Sequence, residues 1–161
     1  MAKTILLLNP PVFDGKRFIR SGYCNSASKA GYYWPPIDLL AQSGILNCDF
    51  EVEILDASAQ NLSESQTLNY INNKFAAGLD GLLFITSLAS KNYDFAFIKK
   101  LKENIQIKKI LCSAGYLLFD NEEYFDSHIG DGILLDYTSS ESAFFFSEQQ
   151  TKFQFIATTD N

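Results

Sequence analysis

Small and polar residues follow the apolar runs of this sequence, where the ends of parallel strands would bring them together. The first run ends in Asn9-Pro10-Pro11, and a later one ends in Thr86-Ser87-Leu88. Two further runs are followed by Ser113-Ala114-Gly115-Tyr116 and by a stretch that contains Thr138. These residues offer hydroxyl and amide groups without charge, and their small side chains let a ligand approach the backbone. They suit the binding of a large, mostly neutral ligand with many amide groups.

Residues for covalent or metal chemistry are sparse. The three cysteines, Cys24, Cys48 and Cys112, form no CxxC or CxxxCxxC pair, and so few thiols are typical of a reducing compartment. His128 is the single histidine and is interpreted as a surface or linker residue rather than a metal ligand. The loops and helices contain no nucleophile–base pair and no paired-carboxylate site. We therefore expect no catalytic activity from these 161 residues alone.

Apolar runs alternate with segments of helical period, which predicts alternating strands and helices. Strands are predicted at 4–8, 51–55, 81–85, 109–112 and 132–135, with an edge-like sixth at 153–157. Helices are predicted at 35–46, 63–77, 93–104, 121–127 and 140–149. The second begins with a Ser63/Gln66 capping box and ends at Gly78. Continuous apolar strands between amphipathic helices indicate an α/β fold with helices on both faces of a parallel sheet. The prediction is one doubly wound, flavodoxin-like or Rossmann-like domain over 1–161, with strand order 2-1-3-4-5.

Several functions common to such sheets are excluded by particular residues. A dinucleotide fingerprint or a flavodoxin phosphate loop would stand where the chain has Asn9-Pro10-Pro11, and proline lacks the N–H that holds phosphate. A phospho-receiver would need an aspartate at Thr86. The net charge of −6 offers no basic patch for nucleic acid, and the apolar runs are too short to span a membrane. The start of the chain has no signal-peptide pattern, so a cytoplasmic location is expected.

Taken in order, the loops resemble the cobalamin-binding domain of class B radical S-adenosylmethionine proteins. The matching stretches are ILLLNPP at 5–11, WPPIDLL at 34–40, VEILDA at 52–57, and the strand exits at 85–88 and 113–116. Each stretch alone is common, and their order and spacing carry the resemblance, which covers residues 3–142.

The resemblance implies that the domain holds base-off cobalamin without a histidine ligand, because the Asp-x-His-x-x-Gly motif of the methionine-synthase type is absent. The residues implied as cofactor contacts are Asn9, Pro10, Pro11, Thr86, Ser87, Leu88, Ser113, Ala114, Gly115, Tyr116 and Thr138. Ala114-Gly115 stands where the family has Gly-Gly, and Thr138-Ser139-Ser140-Glu141 replaces its Gly-Glu-Gly-Glu.

In that family a radical barrel follows this domain, binds S-adenosylmethionine and holds a 4Fe–4S cluster through CxxxCxxC. The present sequence ends before such a motif, so the resemblance implies the front piece of a longer enzyme whose partner is its own downstream radical domain. Many members are methyltransferases and others are cyclases or ring-modifying enzymes, so this domain does not fix the reaction.

Simpler structural roles are open for the same residues. Asn9-Pro10-Pro11 can terminate a strand, Thr86 and Ser87 can cap a helix, and Gly115 can serve a positive φ. The aromatic stretch at 12–34 can cover the corrin ring or form a packing patch or docking face. The competing function is a regulatory or protein-interaction domain that has lost the cofactor. A third possible function is the binding of a nucleotide or flavin, and the missing phosphate loop argues against it.

Overall fold

Six short strands form one sheet, and its four central strands are runs of buried, mostly aliphatic residues. The computed structural model describes residues 3–20, 34–118, 121–148 and 153–158. The strands are β1 (Thr4–Asn9), β2 (Glu51–Asp56), β3 (Gly81–Ile85), β4 (Ile110–Ser113), β5 (Gly132–Leu134) and β6 (Ile156–Ala157). Their order in the sheet is β2-β1-β3-β4-β5-β6. The predicted order 2-1-3-4-5 is confirmed, and β6 extends it at one edge.

The first five strands pair in parallel, and β6 pairs antiparallel with β5. β1 lies between β2 and β3, with Leu7 opposite both Ile54 and Leu83. Because the strands are parallel, the carboxyl ends of β1 to β5 share one edge of the sheet. We call it the carboxyl edge.

Alternating side chains of the strands feed two separate hydrophobic cores. Leu6 and Leu8 of β1 belong to the core under one face, whereas Ile5 and Leu7 belong to the core under the other. This alternation follows from the two-residue repeat of a strand, and helices on both faces bury both sets. Each central strand therefore appears in the sequence as an unbroken apolar run, although its alternate residues belong to two different cores.

Helices α2 (Glu64–Lys74), α3 (Lys91–Asn104) and α4 (Glu122–Asp126) cover the first of these faces, and α1 (Ile37–Leu46) and α5 (Glu141–Ser147) cover the second. All five were predicted from periodicity. Among the described residues, no helix has both the length and the apolar character needed to cross a membrane.

The start of α2 is confirmed in detail and its end differs from the prediction. The Ser63 hydroxyl oxygen accepts a hydrogen bond from the Gln66 N–H at 3.3 Å, and the Gln66 side-chain oxygen accepts one from the Ser63 N–H at 2.9 Å. The helix ends at Lys74, before the predicted residue 77, because Phe75 is buried in the core and leaves helical geometry. Gly78 instead turns the chain into β3 with a φ of +97°.

Candidate functional site

The carboxyl edge brings together the strand exits that the sequence singled out. The amino ends of α1 and α3 also reach this edge, because each helix follows a strand that ends there. The residues of these exits were described from the sequence as uncharged. Three charged residues from other parts of the chain, Arg20, Asp38 and Asp94, are buried against them.

Arg20 and Asp94 form a fully buried ion pair at the ends of β1 and β3. Their side chains are 0% and 1% exposed. Arg20 Nη2 donates to Asp94 Oδ1 at 2.7 Å, and Nε donates to Oδ2 at 2.9 Å, which makes the pair bidentate. The other N–H groups donate to Asn9 Oδ1 at 3.2 Å and to the carbonyl oxygens of Pro10 at 2.9 Å and Pro11 at 3.1 Å. All five guanidinium donors therefore have an acceptor.

The exit of β3 completes this network from the other side. Thr86 Oγ1 donates to Asp94 Oδ2 at 2.7 Å, and Ser90 Oγ donates to the same oxygen at 2.6 Å. Ser90 has one hydroxyl proton and gives it to Asp94, so Ser87 Oγ is the donor in its 2.9 Å contact with Ser90 Oγ. The hydroxyl groups of Thr86 and Ser87, expected to face a ligand, are buried and engaged inside the protein. Leu88, at the tip, is 57% exposed.

Asn9 links the first two strands at the same edge. Its Nδ2 donates to Asp56 Oδ1 at 2.9 Å, while its Oδ1 accepts from Arg20. The Ala59 N–H also donates to Asp56 Oδ1 at 2.9 Å, which caps the turn after β2. Asn9 is thus a buried bridge between two strands and the arginine.

The exit of β4 has a different character, because it opens to solvent. Ser113 Oγ donates to Asp38 Oδ2 at 3.0 Å, which ties the first turn of α1 to the strand end, and Ala114 is buried. Gly115 starts a 3₁₀ turn, is exposed, and has open space where a side chain would stand. The suggestion that Gly115 serves a positive φ is wrong, since only Gly15 and Gly78 among the described glycines have one. Burial raises the pKa of the Tyr116 phenol, which therefore stays protonated and remains a hydrogen-bond donor.

The α1 side of the edge holds buried polar atoms that lack partners. Gln42 Nε2 donates to the carbonyl oxygens of Tyr137 at 2.7 Å and Ser139 at 3.0 Å, which joins α1 to the loop after β5. Gln42 Oε1 and Ser142 Oγ are buried and have no hydrogen-bond partner in the part of the chain that the structure describes. Thr138, an expected contact, is exposed, and its N–H and hydroxyl donate to Asp136 Oδ1 at 2.8 and 2.6 Å.

Arg20, Asp38, Gln42 and Asp94 are the residues of this edge that sequence reasoning missed. A signal existed for Asp94, because it stands four residues after Ser90, and residues at that spacing share one helix face. Arg20 carried no signal, since it lies in the long connection after β1, whose course no periodicity fixes.

The remaining candidate residues lie apart from the carboxyl edge or outside the described residues. His128 is exposed and comes before β5, at the opposite edge of the sheet. In the described ranges, no three metal-ligating side chains come together. Cys48 is exposed and Cys112 is buried, and both are free thiols. Cys24 and the tyrosines at 23, 32 and 33 lie outside the described residues.

The two halves of this edge differ in what they offer a large ligand such as cobalamin, the cofactor implied by the sequence resemblance. The ends of β1 and β3 are filled by the Arg20–Asp94 pair, which leaves no room for a ligand group between them. At β4 and β5, Gly115 is open, and the buried oxygens of Gln42 and Ser142 have no partner among the described residues. Comparison with known proteins finds no matching protein-family model, no matching curated protein and no matching solved structure.

Proposed function

We propose that this domain is a cobalamin-binding module that holds the cofactor base-off over the exits of β4 and β5. Two observations carry the proposal: the open Gly115 tip after β4, and the buried oxygens of Gln42 and Ser142, by the loop after β5, that have no partner among the described residues. A buried polar atom without a partner costs about 1–3 kcal/mol. A ligand rich in amide groups would remove that cost for both oxygens.

A base-off state is supported by the position of the single histidine. His128 lies at the amino edge of the sheet, a full strand length from the exits where the corrin would lie. The described residues around the exits of β4 and β5 include the amide of Gln42 and the hydroxyl of Ser142, and groups of this kind suit the amide side chains of a corrin better than its cobalt ion.

The wider part of the proposal rests on the sequence resemblance. It assigns the domain to a cytoplasmic radical S-adenosylmethionine enzyme, in which a downstream domain with a 4Fe–4S cluster carries out the reaction. Methyl transfer through cobalamin is the reaction class proposed. The domain itself contributes binding and orientation of the cofactor.

The proposal is tested by placing a bulky side chain in the open space at Gly115. Hydroxocobalamin is titrated into the 161-residue chain, and binding is followed by visible spectroscopy and equilibrium dialysis. Gly115→Phe should weaken binding at least about tenfold, since the new ring would occupy the ligand's place. Its matched control is Gly44→Phe on α1, where added atoms also meet open space but the surface lies beside β2.

Base-off spectra in the wild type and in Gly44→Phe, with weak binding in Gly115→Phe, would support the proposal. No binding to the wild type, or equal binding to all three proteins, would contradict it.

A second candidate is a regulatory or protein-interaction domain of the same fold that has lost the cofactor. The specific observation in its favour is the filled crevice between β1 and β3, since ligands of doubly wound sheets bind where the strand order reverses. This candidate predicts no cobalamin uptake even in a longer protein that includes a downstream domain. The same dialysis on that longer protein decides between the two.

A further inference from the structure

The strand order reverses between β1 and β3. The gap between the ends of these two strands, the β1–β3 crevice, holds a side chain of the protein itself. From β1 the chain continues to β2 on one side and returns to β3 on the other. Doubly wound sheets bind ligands at such a point because the two connections diverge and leave a gap. Here the guanidinium group of Arg20 fills the gap and is buried from solvent.

The walls of the crevice match a guanidinium group in shape and charge. The Asp94 carboxylate meets it edge to edge, and the carbonyl oxygens of Pro10 and Pro11 accept its outer N–H groups. Proline residues suit these positions, because a residue without a backbone N–H ends the ladder of β1, and here the carbonyl oxygens of Pro10 and Pro11 accept from the Arg20 side chain instead. Asn9 Oδ1 accepts the remaining N–H group. Every acceptor comes from outside the segment 12–20 that carries the arginine.

We propose that the β1–β3 crevice is a guanidinium-binding site, and that Arg20 occupies it as a latch that holds segment 12–20 across the carboxyl edge. The other attachments of this segment are weaker and more exposed. The Val12 N–H donates to the Leu62 carbonyl oxygen at 3.2 Å, and the half-exposed Phe13 stacks on Tyr93 with ring centroids 3.7 Å apart.

The latch has two chemical consequences. A lysine cannot replace the arginine, because an ammonium group has three donors and no planar fork with which to meet a carboxylate and two carbonyl oxygens together. While the latch is closed, a ligand at the carboxyl edge is confined to the exits of β4 and β5. When Arg20 is removed, the crevice should accept a guanidinium compound from solution.

Arg20→Ala tests the site directly, with methylguanidinium chloride as the probe. Thermal unfolding is followed by circular dichroism, with methylammonium chloride at equal concentration as the matched cation. At ten times its Kd, methylguanidinium should raise the melting temperature of Arg20→Ala by about 3–6 °C more than methylammonium does. The wild type, whose site is occupied, should show no such difference.

If the Arg20→Ala protein is unfolded in buffer, a double variant, Arg20→Met with Asp94→Asn, serves as the second test. This double variant has no buried charge to leave unpaired and no carboxylate to bind a cation, so neither cation should shift its melting temperature. An unfolded Arg20→Ala protein should regain its helical signal with methylguanidinium alone. The proposal is overturned if Arg20→Ala responds equally to both cations or to neither, or if the double variant responds as strongly to methylguanidinium.

Discussion

Separate and joint removal of the two charges of the buried Arg20–Asp94 pair should have very different effects on stability. Asp94→Asn leaves a guanidinium group with no exposed surface and no counter-charge. Arg20→Met leaves a carboxylate that is equally buried. Breaking a buried pair on one side costs about 3–5 kcal/mol, because the remaining charge can be neither solvated nor compensated. Against a total stability of about 5–15 kcal/mol, either change should bring the protein close to unfolding.

The double variant should be more stable than either single one. Asparagine keeps an oxygen to accept from Thr86 and Ser90, and methionine keeps the unbranched stem that fills the space of the arginine. What remains is the loss of a donor to each of Asn9, Pro10 and Pro11, which we set at about 1 kcal/mol for each acceptor. The stability losses of the two single variants add up to more than the loss of the double variant. The difference is the coupling energy between the two residues, which is at least about 3 kcal/mol.

Urea unfolding of the four proteins, followed by circular dichroism, measures this cycle. The control is a second cycle at Lys100 and Glu64, which form a 2.5 Å ion pair between α3 and α2 with both side chains partly exposed. That coupling should stay below about 1 kcal/mol, because water screens the pair. If the losses at Arg20 and Asp94 add without coupling, or if the two cycles give equal values, the argument from burial is refuted.

Two further predictions concern titratable groups away from the latch. The hydrogen bond from Lys108, with another from the Thr4 N–H, lowers the pKa of Asp80 below its usual 3.8, so its contribution is present at neutral pH and is lost as the pH falls through the depressed value. The urea midpoint of Asp80→Asn should therefore lie below that of the wild type at neutral pH, and the gap should close in acid; a gap independent of pH would contradict this. Burial, with nearby carboxylates, raises the pKa of the Cys112 thiol, so iodoacetamide should label Cys48 in the native protein and Cys112 only after unfolding, as read from peptide masses. Equal labelling of both in the native state would show the reasoning to be wrong.

The sheet and its helices could be predicted because their signals are local. The central strands are short, mostly aliphatic runs, the edge strand β2 alternates acidic and aliphatic residues, and α3 repeats its apolar residues at helical spacing. These patterns predict a sheet that is buried on both faces. Ser63 and Gln66 marked a helix start, since a capping box needs only two residues at fixed spacing. The end of α2 was missed because Phe75 leaves the helix to reach the core, which is a tertiary contact.

The carboxyl edge could be located from the sequence, but its internal chemistry could not. Thr86 and Ser87 were rightly placed at a strand exit, yet their hydroxyl groups turn inward to Asp94 and Ser90 rather than outward. That direction depends on Arg20, which is 74 residues from Asp94 in the chain and reaches it through an irregular loop. No pattern of spacing predicts a contact of that kind.

The latch also changes which residues a ligand at this edge can use. Small, hydroxylated strand exits are expected where a ligand approaches, but a buried ion pair needs the same residues, because its carboxylate must be surrounded by donors. Thr86 and Ser90 supply those donors here, so their presence is explained without any ligand. Gly115 shows no such internal role, since no atom of the described residues lies within 4 Å of the place that its side chain would take. Gly115, more than the hydroxyl residues, is therefore the position where binding of a ligand should be sought first.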